Sequence, residues 1–359
     1  PPRSPICGRA GIRRGGAPSI ASRWIQRLAA VAGPDATSHL RQRGAAYIAE
    51  ARLLDTCAEL PRHPRPEPRP PVEFRPDRIS VTEVERLVRD PYAVYARRIL
   101  KLEPFEPLIR APGAAERGTL FHDILADVVS KGLDLAAPDA LSALLDIARA
   151  RFAAADLPPE IEAVWWPRME GLARRYLAWE HERSPRIRTR RAELGGRLEL
   201  ADTGLTLTGY ADRIDLTVDG GAEIIDFKTG LSPSIKQART LLAPQLPLEG
   251  AMLKLGAFDG LAAGTPIAGL SYVRLRERDF VEEALATPGS AKSEAITVDA
   301  LADAALARLR ALGAAYRNPA KGYLSRARPF IAADLSGDYD QLARSREWAM
   351  AEEGSEEQE

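Results

Sequence analysis

The spacing of apolar positions changes along the chain from a helical period to strict alternation. Residues 22–59 carry apolar side chains at helical spacing and predict two helices. The same pattern predicts helices at about 115–131, 138–155 and 160–183. The segments RLEL, GLTLTGY, ADRIDLTV and AEIIDF then alternate apolar and polar residues. Alternation of this kind, broken by a Gly-rich turn, is typical of an antiparallel meander.

The remaining pattern completes a mixed architecture. Beyond the meander, a helix is predicted at about 244–257, a strand at 269–275 and a long helix at 299–316. Strands interspersed with helices favour an α/β fold. We therefore predict an α/β core with a mixed sheet centred on residues 193–228 and flanked by helices, plus a helical N-terminal segment.

Proline marks one predicted domain boundary. Residues 61–71 contain six prolines in eleven positions, which is typical of a stiff linker. We predict that residues 1–71 form a helical segment and linker, of which residues 1–20 are disordered. The main domain is then 72–348, and the acidic residues 349–359 form a solvated tail.

The composition of the chain says more about its cellular compartment than about its activity. The chain has 50 basic and 50 acidic residues, so no global field indicates a polyanionic partner, although a local basic groove is sufficient to bind DNA. Two cysteines, Cys7 and Cys57, cannot build a disulfide framework, which favours a reduced, cytoplasmic setting. No apolar run approaches the ~20 residues of a membrane span. The chain lacks an initiator Met, so we expect it to be a fragment of a longer protein.

Four polar motifs stand out, and each has an ordinary structural explanation when taken alone. His122 ends the helical segment GTLFH, where a single His is more often structural than a ligand. Gly209 and Asp212 lie between apolar strand residues, which usually indicates a turn or bulge. Asp212 nevertheless opens a strand-like run, although Asp is depleted in strands. Asp226 and Lys228 are two residues apart on a strand and share one face, as a surface ion pair would. Gln245 lies at a helix start, where a polar residue is common.

Phosphodiester hydrolysis gives these residue types a common purpose. A divalent ion activates the attacking water and neutralises charge on the scissile phosphate. Mg²⁺ prefers carboxylate oxygens, and an added imidazole is compatible with Mg²⁺ and suits Mn²⁺ better. A neighbouring lysine orients the water and stabilises the developing charge.

In order and spacing, the motifs resemble the RecB-like branch of the PD-(D/E)XK nucleases. They are G-x-x-x-H, G-Y-A-D-R-I-D, I-I-D-F-K-T-G and Q-L-P-L-E. The segments SVTEVERLVRDPYAVYARRIL and GYLSRARPFIAADLSGDYDQLAR further resemble the C-terminal nuclease region of AddB-type double-strand break repair proteins, over about residues 18–348.

The resemblance implies a role for each motif residue. His122, Asp212 and Asp226 would hold the metal ion together with the Phe227 carbonyl. Lys228 would be the catalytic lysine, and Gln245 would contact the site from its helix. These implied residues are the expected catalytic and metal-binding set.

Two departures from the family's pattern also carry expectations. Relatives often have Tyr four residues after the Gln, where this chain has Glu249, so the role of that position stays open. Some relatives carry an iron–sulfur cluster on four cysteines, which two cysteines cannot supply, so we expect none.

The resemblance implies an exonuclease acting on DNA ends beside an AddA-like helicase–nuclease subunit, with the N-terminal helices a helicase-like remnant. A catalytically silent DNA-binding or scaffold module of the same complex is the alternative, because nuclease folds can lose their ligands and keep their shape. Four arginines in a basic stretch are candidates to follow a DNA backbone, although a solvated helix end explains them equally well. They are Arg186, Arg188, Arg190 and Arg191.

Strand parity makes one geometric prediction. A three-residue turn at Asp219-Gly220-Gly221 would place residue 214 opposite Asp226, so that Asp212, Asp226 and Lys228 share a face. We predict such a turn with a Gly in the left-handed region. The Asp212 and Asp226 carboxylates should then lie within about 6 Å, as one shared ion requires.

Overall fold

A computed structural model describes residues 21–55, 64–104, 112–230, 233–275, 280–289, 295–328 and 337–348. The chain divides into two units, residues 1–63 and 64–359. This division falls inside the predicted Pro-rich linker, and its residues 64–71 belong to the second unit. Cys7, Cys57, the predicted disordered segment and the acidic tail lie outside the described residues.

The described residues of the first unit form one helical segment, α1 (Arg23–Asp55), which is two helices joined at a kink. Gly33 has φ 79° and ψ 171° at the kink, and Pro34 follows it. Glycine tolerates a positive φ, and proline favours the first turn of the helix that it begins. The predicted pair of helices is therefore confirmed over residues 23–55, and residues 56–59 of the prediction lie outside the described residues.

The second unit begins with short elements. A 3-10 turn spans Val72–Phe74, and strand β1 (Arg78–Ser80) leads into helix α2 (Val81–Arg89). The Ser80 hydroxyl accepts from the Glu83 amide, and Glu83 accepts from the Ser80 amide, which forms a capping box. Helix α3 (Pro91–Val94) and a π-helical turn follow directly.

Helices cover both sides of a six-stranded sheet. The strands beyond β1 are β2 (Ile187–Leu200), β3 (Leu205–Thr217), β4 (Ala222–Lys228), β5 (Ile267–Leu275) and β6 (Phe280–Ala284). The helices beyond α3 are α4 (Ala114–Ser130), α5 (Ala140–Ala154), α6 (Pro159–Arg183), α7 (Ile235–Arg239), α8 (Gln245–Lys254) and α9 (Val298–Arg317). The predicted α/β fold with a mixed sheet is confirmed.

Strand β4 shows how the sheet separates two cores. Ile224 packs with α2, α8 and α9, whereas Ile225 and Phe227 pack with α4, α5 and α6. Side chains alternate across a strand, so Asp226 and Lys228 project to the side of Ile224. The carboxylate and the amine thus emerge from a strand whose neighbouring residues are buried on both sides.

Strand β3 is the centre of the sheet and has a gap along one edge. Its pairing with antiparallel β2 extends from Leu205 to Thr217. Parallel β1 pairs with residues 206–208, and antiparallel β4 pairs with residues 213–216. Strand β2 occupies one edge of β3, so β1 and β4 both pair along the opposite edge. Residues 209–212 of β3 lie between them and pair with no strand along that opposite edge.

The register of β3 with β4 differs from the predicted one. Ile214 lies opposite Ile224 rather than Asp226, and Thr217 N–H donates to the Gly221 carbonyl at 2.9 Å. The three-residue loop is therefore Val218–Gly220, one residue earlier than predicted, and Gly220 adopts φ 92°. The pairing of β3 with β4 ends at Arg213 and Ile225. Asp212 and Asp226 are the next residues on β3 and β4.

None of the helices in the described residues is long and apolar enough to cross a membrane.

Candidate functional site

The candidate site lies where β3 and β4 separate, at the gap between β1 and β4. Asp226 and Lys228 are at the end of β4, and the Lys228 amine lies 2.6 Å from Asp226 Oδ2. The Asp226 side chain is 2% exposed, while Lys228 is 24% exposed. The carboxylate is thus at the floor of the site and the amine reaches towards its opening.

The Lys228 amine stays charged in this setting. Burial alone would lower its pKa, but the charge of Asp226, the hydrogen bond to it, and the charges of Asp212 and Glu249 outweigh burial and raise the pKa. A protonated lysine beside a reacting phosphate can donate hydrogen bonds and compensate negative charge.

Asp212 reaches across the opening between the strands. Its Oδ2 accepts a hydrogen bond from the Phe227 backbone amide at 2.8 Å. The carboxylate thus takes the place of a backbone carbonyl of a neighbouring strand. Burial, followed by the charge of Asp226, raises the pKa of Asp212 to about 8. Asp212 and Asp226 therefore lie close enough for each charge to oppose the other. The predicted 6 Å separation of their carboxylates stays a prediction.

His122 approaches from α4, on the other side of the strands from α8. Its Nδ1 lies 3.4 Å from Asp212 Oδ2, and its ring meets the edge of the Phe227 ring. Burial lowers the pKa of His122 and outweighs the opposing charge of Asp226. The imidazole is therefore neutral at physiological pH, which is the form that binds metal ions.

The helix that carries His122 is held against β4 by a close approach at Gly118. A Cβ added to Gly118 would stand 2.7 Å from the Thr229 Oγ1, nearer than real Cβ contacts come. The Gly of the G-x-x-x-H motif thus lets α4 pack on the residue directly after Lys228. This contact fixes the distance between the helix and the strand end.

Helix α8 supplies Gln245 at its first residue. The Gln245 amide nitrogen donates to Asp226 Oδ1 at 2.7 Å and to Glu249 Oε1 at 3.2 Å. Glu249 is 1% exposed, and burial, with the charges of Asp226 and Asp212, raises its pKa well above the ordinary value. The structure thus brings all four sequence motifs together.

The donor set fits a divalent cation. Asp226 and Glu249 are buried carboxyl groups and Asp212 is half-buried, all beside the Lys228 ammonium. Glu249 Oε2 makes no hydrogen bond within the described residues. The raised pKa values of Asp212 and Glu249 mean that the local negative charge is under-compensated, which a cation would relieve. As the side chains stand in the described part of the chain, no group of three or more His, Cys, Asp or Glu residues could hold a metal ion, so His122, Asp212 and Asp226 would have to move to bind one together.

Two acidic residues near the site, Glu249 and Glu85, were assigned no role from the sequence. Glu249 follows three apolar or Pro residues inside the α8 segment, and a carboxylate in such a helix is a recognisable anomaly. Glu85 on α2 makes an ion pair with Arg89 at 2.9 Å. Burial raises the pKa of Glu85, against the opposing effect of Arg89, and the charges of Lys228 and Asp226 also act on it. Nothing in the sequence links α2 to the strand end.

The candidate arginines of the basic stretch are mostly engaged within the protein. Arg186 makes an ion pair with Glu223 at 3.2 Å, and Arg190 Nε donates to Glu180 at 3.0 Å. Arg191 donates to the carbonyls of two residues in the loop after α8. Arg188 is exposed on β2. Their proposed contact with a DNA backbone stays a prediction.

A buried ion network lies behind the site, on the α6 side of β3. Arg213 is 1% exposed, hydrogen-bonds to Asp215 at 2.7 Å and makes a very short contact with Glu180. Arg183 bridges Asp215 and Glu223. Since Arg213 directly follows Asp212, this network anchors β3 at the residue beside a candidate metal ligand.

Comparison with known proteins identifies a family over most of the chain. The family model of the PD-(D/E)XK nuclease superfamily matches residues 78–328. Uncharacterized proteins of Rickettsia bellii and Rickettsia conorii are 31% and 30% identical over 52% and 51% of the chain. In each, the chain spans about a quarter of the relative, 23% of its length. The crystal structure of SSO0001 matches 66% of the chain and 76% of its own, at 14% identity and a TM-score of 0.27.

Proposed function

The chain belongs to the PD-(D/E)XK nuclease superfamily, and we propose that it is a metal-dependent DNA exonuclease. The observation that carries this proposal is the meeting of His122, Asp212, Asp226 and Lys228 where β3 and β4 separate. They come from three elements, and a surface ion pair would not require His122 or Asp212 beside it.

The residues present support a Mg²⁺ or Mn²⁺ site. Asp212, Asp226 and the neutral imidazole of His122 would hold the ion together with the Phe227 carbonyl. When bound, such an ion activates a water molecule and neutralises charge on a phosphodiester.

The chain's own residues then orient the reaction. The charged Lys228 amine lies beside Asp226 at the opening, where it can donate a hydrogen bond to the attacking water or to a phosphate oxygen. Gln245 holds Asp226 Oδ1 and so restricts the rotation of that carboxylate. The Phe227 amide does the same for Asp212.

The biological setting is proposed from the resemblance of the wider sequence. We propose that the nuclease trims DNA ends in double-strand break repair and recombination, in the cytoplasm, beside an AddA-like helicase–nuclease subunit. Co-expression with such a subunit and size-exclusion chromatography test the pairing. Two separate peaks at micromolar concentration would contradict it.

The test of the nuclease activity compares two ion pairs. Asp226→Ala and Lys228→Ala should each lower Mg²⁺-dependent cleavage of end-labelled DNA by at least about 10²-fold. The matched controls are Asp303→Ala and Lys254→Ala, because Lys254 pairs with Asp303 on the surface at 2.9 Å. Controls should cleave like the wild type, and circular dichroism should show all four variants folded.

Three outcomes of this comparison would contradict the proposal. Wild-type cleavage by Asp226→Ala or Lys228→Ala would show that the replaced residue is not required for the reaction. Unfolding of both would make Asp226 and Lys228 a structural ion pair. DNA binding by the wild type without cleavage in Mg²⁺ or Mn²⁺ would favour the silent DNA-binding module.

A further inference from the structure

Glu249 occupies a position that the proposed chemistry does not use. It lies one turn after Gln245 on α8, is 1% exposed, and is followed by four apolar or glycine residues. Burying a carboxyl group among such residues is costly unless it is hydrogen-bonded. The one hydrogen bond that its side chain makes within the described residues is to the Gln245 amide.

The Gln245 amide nitrogen has two N–H groups and two acceptors. One acceptor is Asp226 Oδ1 at 2.7 Å and the other is Glu249 Oε1 at 3.2 Å. A side-chain amide turned by 180° would place its oxygen against both, where no hydrogen bond to a carboxylate is possible. Two acceptors therefore specify which end of the amide faces Asp226.

We propose that Glu249 is a positioning residue for the nuclease site: its Oε1 holds the Gln245 amide so that nitrogen, and not oxygen, faces Asp226. This inference rests on the proposed function for its effect on catalysis, but the amide orientation itself does not. The hydrogen bond from Gln245 holds Asp226 Oδ1, so Asp226 Oδ2 remains for contact with Lys228 and the ion.

This role depends on an acceptor oxygen at position 249, and Glu249 Oε1 lies 3.2 Å from the Gln245 amide nitrogen. Glutamine at this position offers the same acceptor, whereas leucine has similar bulk and no acceptor.

The experiment is a double-mutant cycle with Glu249→Gln, Glu249→Leu and Gln245→Ala. Glu249→Leu and Gln245→Ala should each reduce kcat by about tenfold, the loss expected for one oriented hydrogen bond. The double variant should lose no more than Gln245→Ala alone, because Glu249 is proposed to act only through Gln245. Glu249→Gln should retain most activity, and Met252→Leu controls for altered packing of α8.

A second readout needs neither metal nor cleavage. In ¹⁵N spectra of the metal-free chain, the side-chain amide protons of Gln245, assigned by their loss in Gln245→Ala, should exchange slowly with solvent. Glu249→Leu should speed this exchange by about tenfold or more, since one amide partner is gone. Glu249→Gln and Met252→Leu should leave it slow.

Several results would overturn the proposal. Equal losses in Glu249→Gln and Glu249→Leu would show that the charge of Glu249 matters and not its acceptor. Additive losses in the double variant, or unchanged amide exchange in Glu249→Leu, would show that it does not act through Gln245. If no variant and no wild-type preparation cleaves DNA, the proposed function fails, and the exchange result still decides the orientation.

Discussion

The substitution Gly118→Ala tests whether packing of α4 on the strand end sets the geometry of the site. The new Cβ would lie 2.7 Å from Thr229 Oγ1 and must move about 0.7 Å to reach the 3.4 Å of ordinary contact. His122 is one helical turn further along α4, so it moves with the helix. Its Nδ1 now lies 3.4 Å from Asp212 Oδ2.

The effects on stability and on activity should differ in size. Overpacking costs about 1–3 kcal/mol, and replacing Gly by Ala in a helix returns about 1 kcal/mol. The net loss in the free energy of unfolding is therefore about 0–2 kcal/mol. A displacement approaching 1 Å in a catalytic constellation costs about 10- to 100-fold in rate. Cleavage should fall by that factor in a protein that remains folded.

Thr229→Ala provides the rescue, because it removes the atom that the new Cβ meets. The double variant Gly118→Ala with Thr229→Ala should regain most of the lost activity. Gly171→Ala on α6 is the matched control, since its Cβ would have nothing nearer than Arg175 Nη1 at 3.8 Å. That control should be stabilised by up to about 1 kcal/mol and cleave normally. Urea unfolding and end-labelled cleavage measure both quantities.

Wild-type cleavage by Gly118→Ala would refute the reasoning, because the site would then tolerate the displaced helix. Failure of Thr229→Ala to rescue would show that the contact responsible is a different one.

Three further predictions test other parts of the chain. Arg213→Met should lower the free energy of unfolding by about 3–5 kcal/mol, because it leaves buried carboxylates uncompensated, and a loss under about 1 kcal/mol in urea would contradict this. A hydrogen bond from Arg151 lowers the pKa of Asp127 to about 2, so their ion pair stabilises above pH 4 and is lost as the pH falls towards 2. Asp127→Asn should therefore flatten the thermal stability between pH 4 and 2 while leaving the slope near pH 7 unchanged. Purified protein should contain no stoichiometric iron or acid-labile sulfide, because two cysteines cannot hold a four-thiolate cluster.

The helices and the longer strands were predictable because their periods are long enough to be distinctive. The helix predicted at 115–131 is α4, at Ala114–Ser130, and the helix at 299–316 is α9, at Val298–Arg317. Strand β1 has three residues, too few for a period, and its pairing with β3 depends on contacts distant in sequence. The segments GLTLTGY and ADRIDLTV form one strand, since Gly209 near their junction stays extended and pairs with Gly196 of β2.

The motif residues were predictable from their chemistry and order, but their support was not. The sequence correctly predicted a three-residue loop with a Gly at positive φ. It did not show whether the loop begins at Val218 or at Asp219, because either residue can occupy the first loop position. The Arg213 network required knowing that α6 covers that side of β3. The contact between Glu249 and Gln245 follows from helical spacing, whereas its approach to Asp226 depends on how α8 packs.

The crowding of Asp212, Asp226 and Glu249 has a practical consequence for handling the protein. On the proposed function a bound cation would compensate their mutual repulsion. Chelators should therefore lower the melting temperature, and added Mg²⁺ or Mn²⁺ should raise it in proportion to the logarithm of its concentration. Asp226→Asn should melt above the wild type in chelator and respond less to added ions. The inactive variant Asp226→Asn would thus also be the more stable sample for crystallisation with DNA. A series of melting curves at increasing ion concentration would measure binding of the ion.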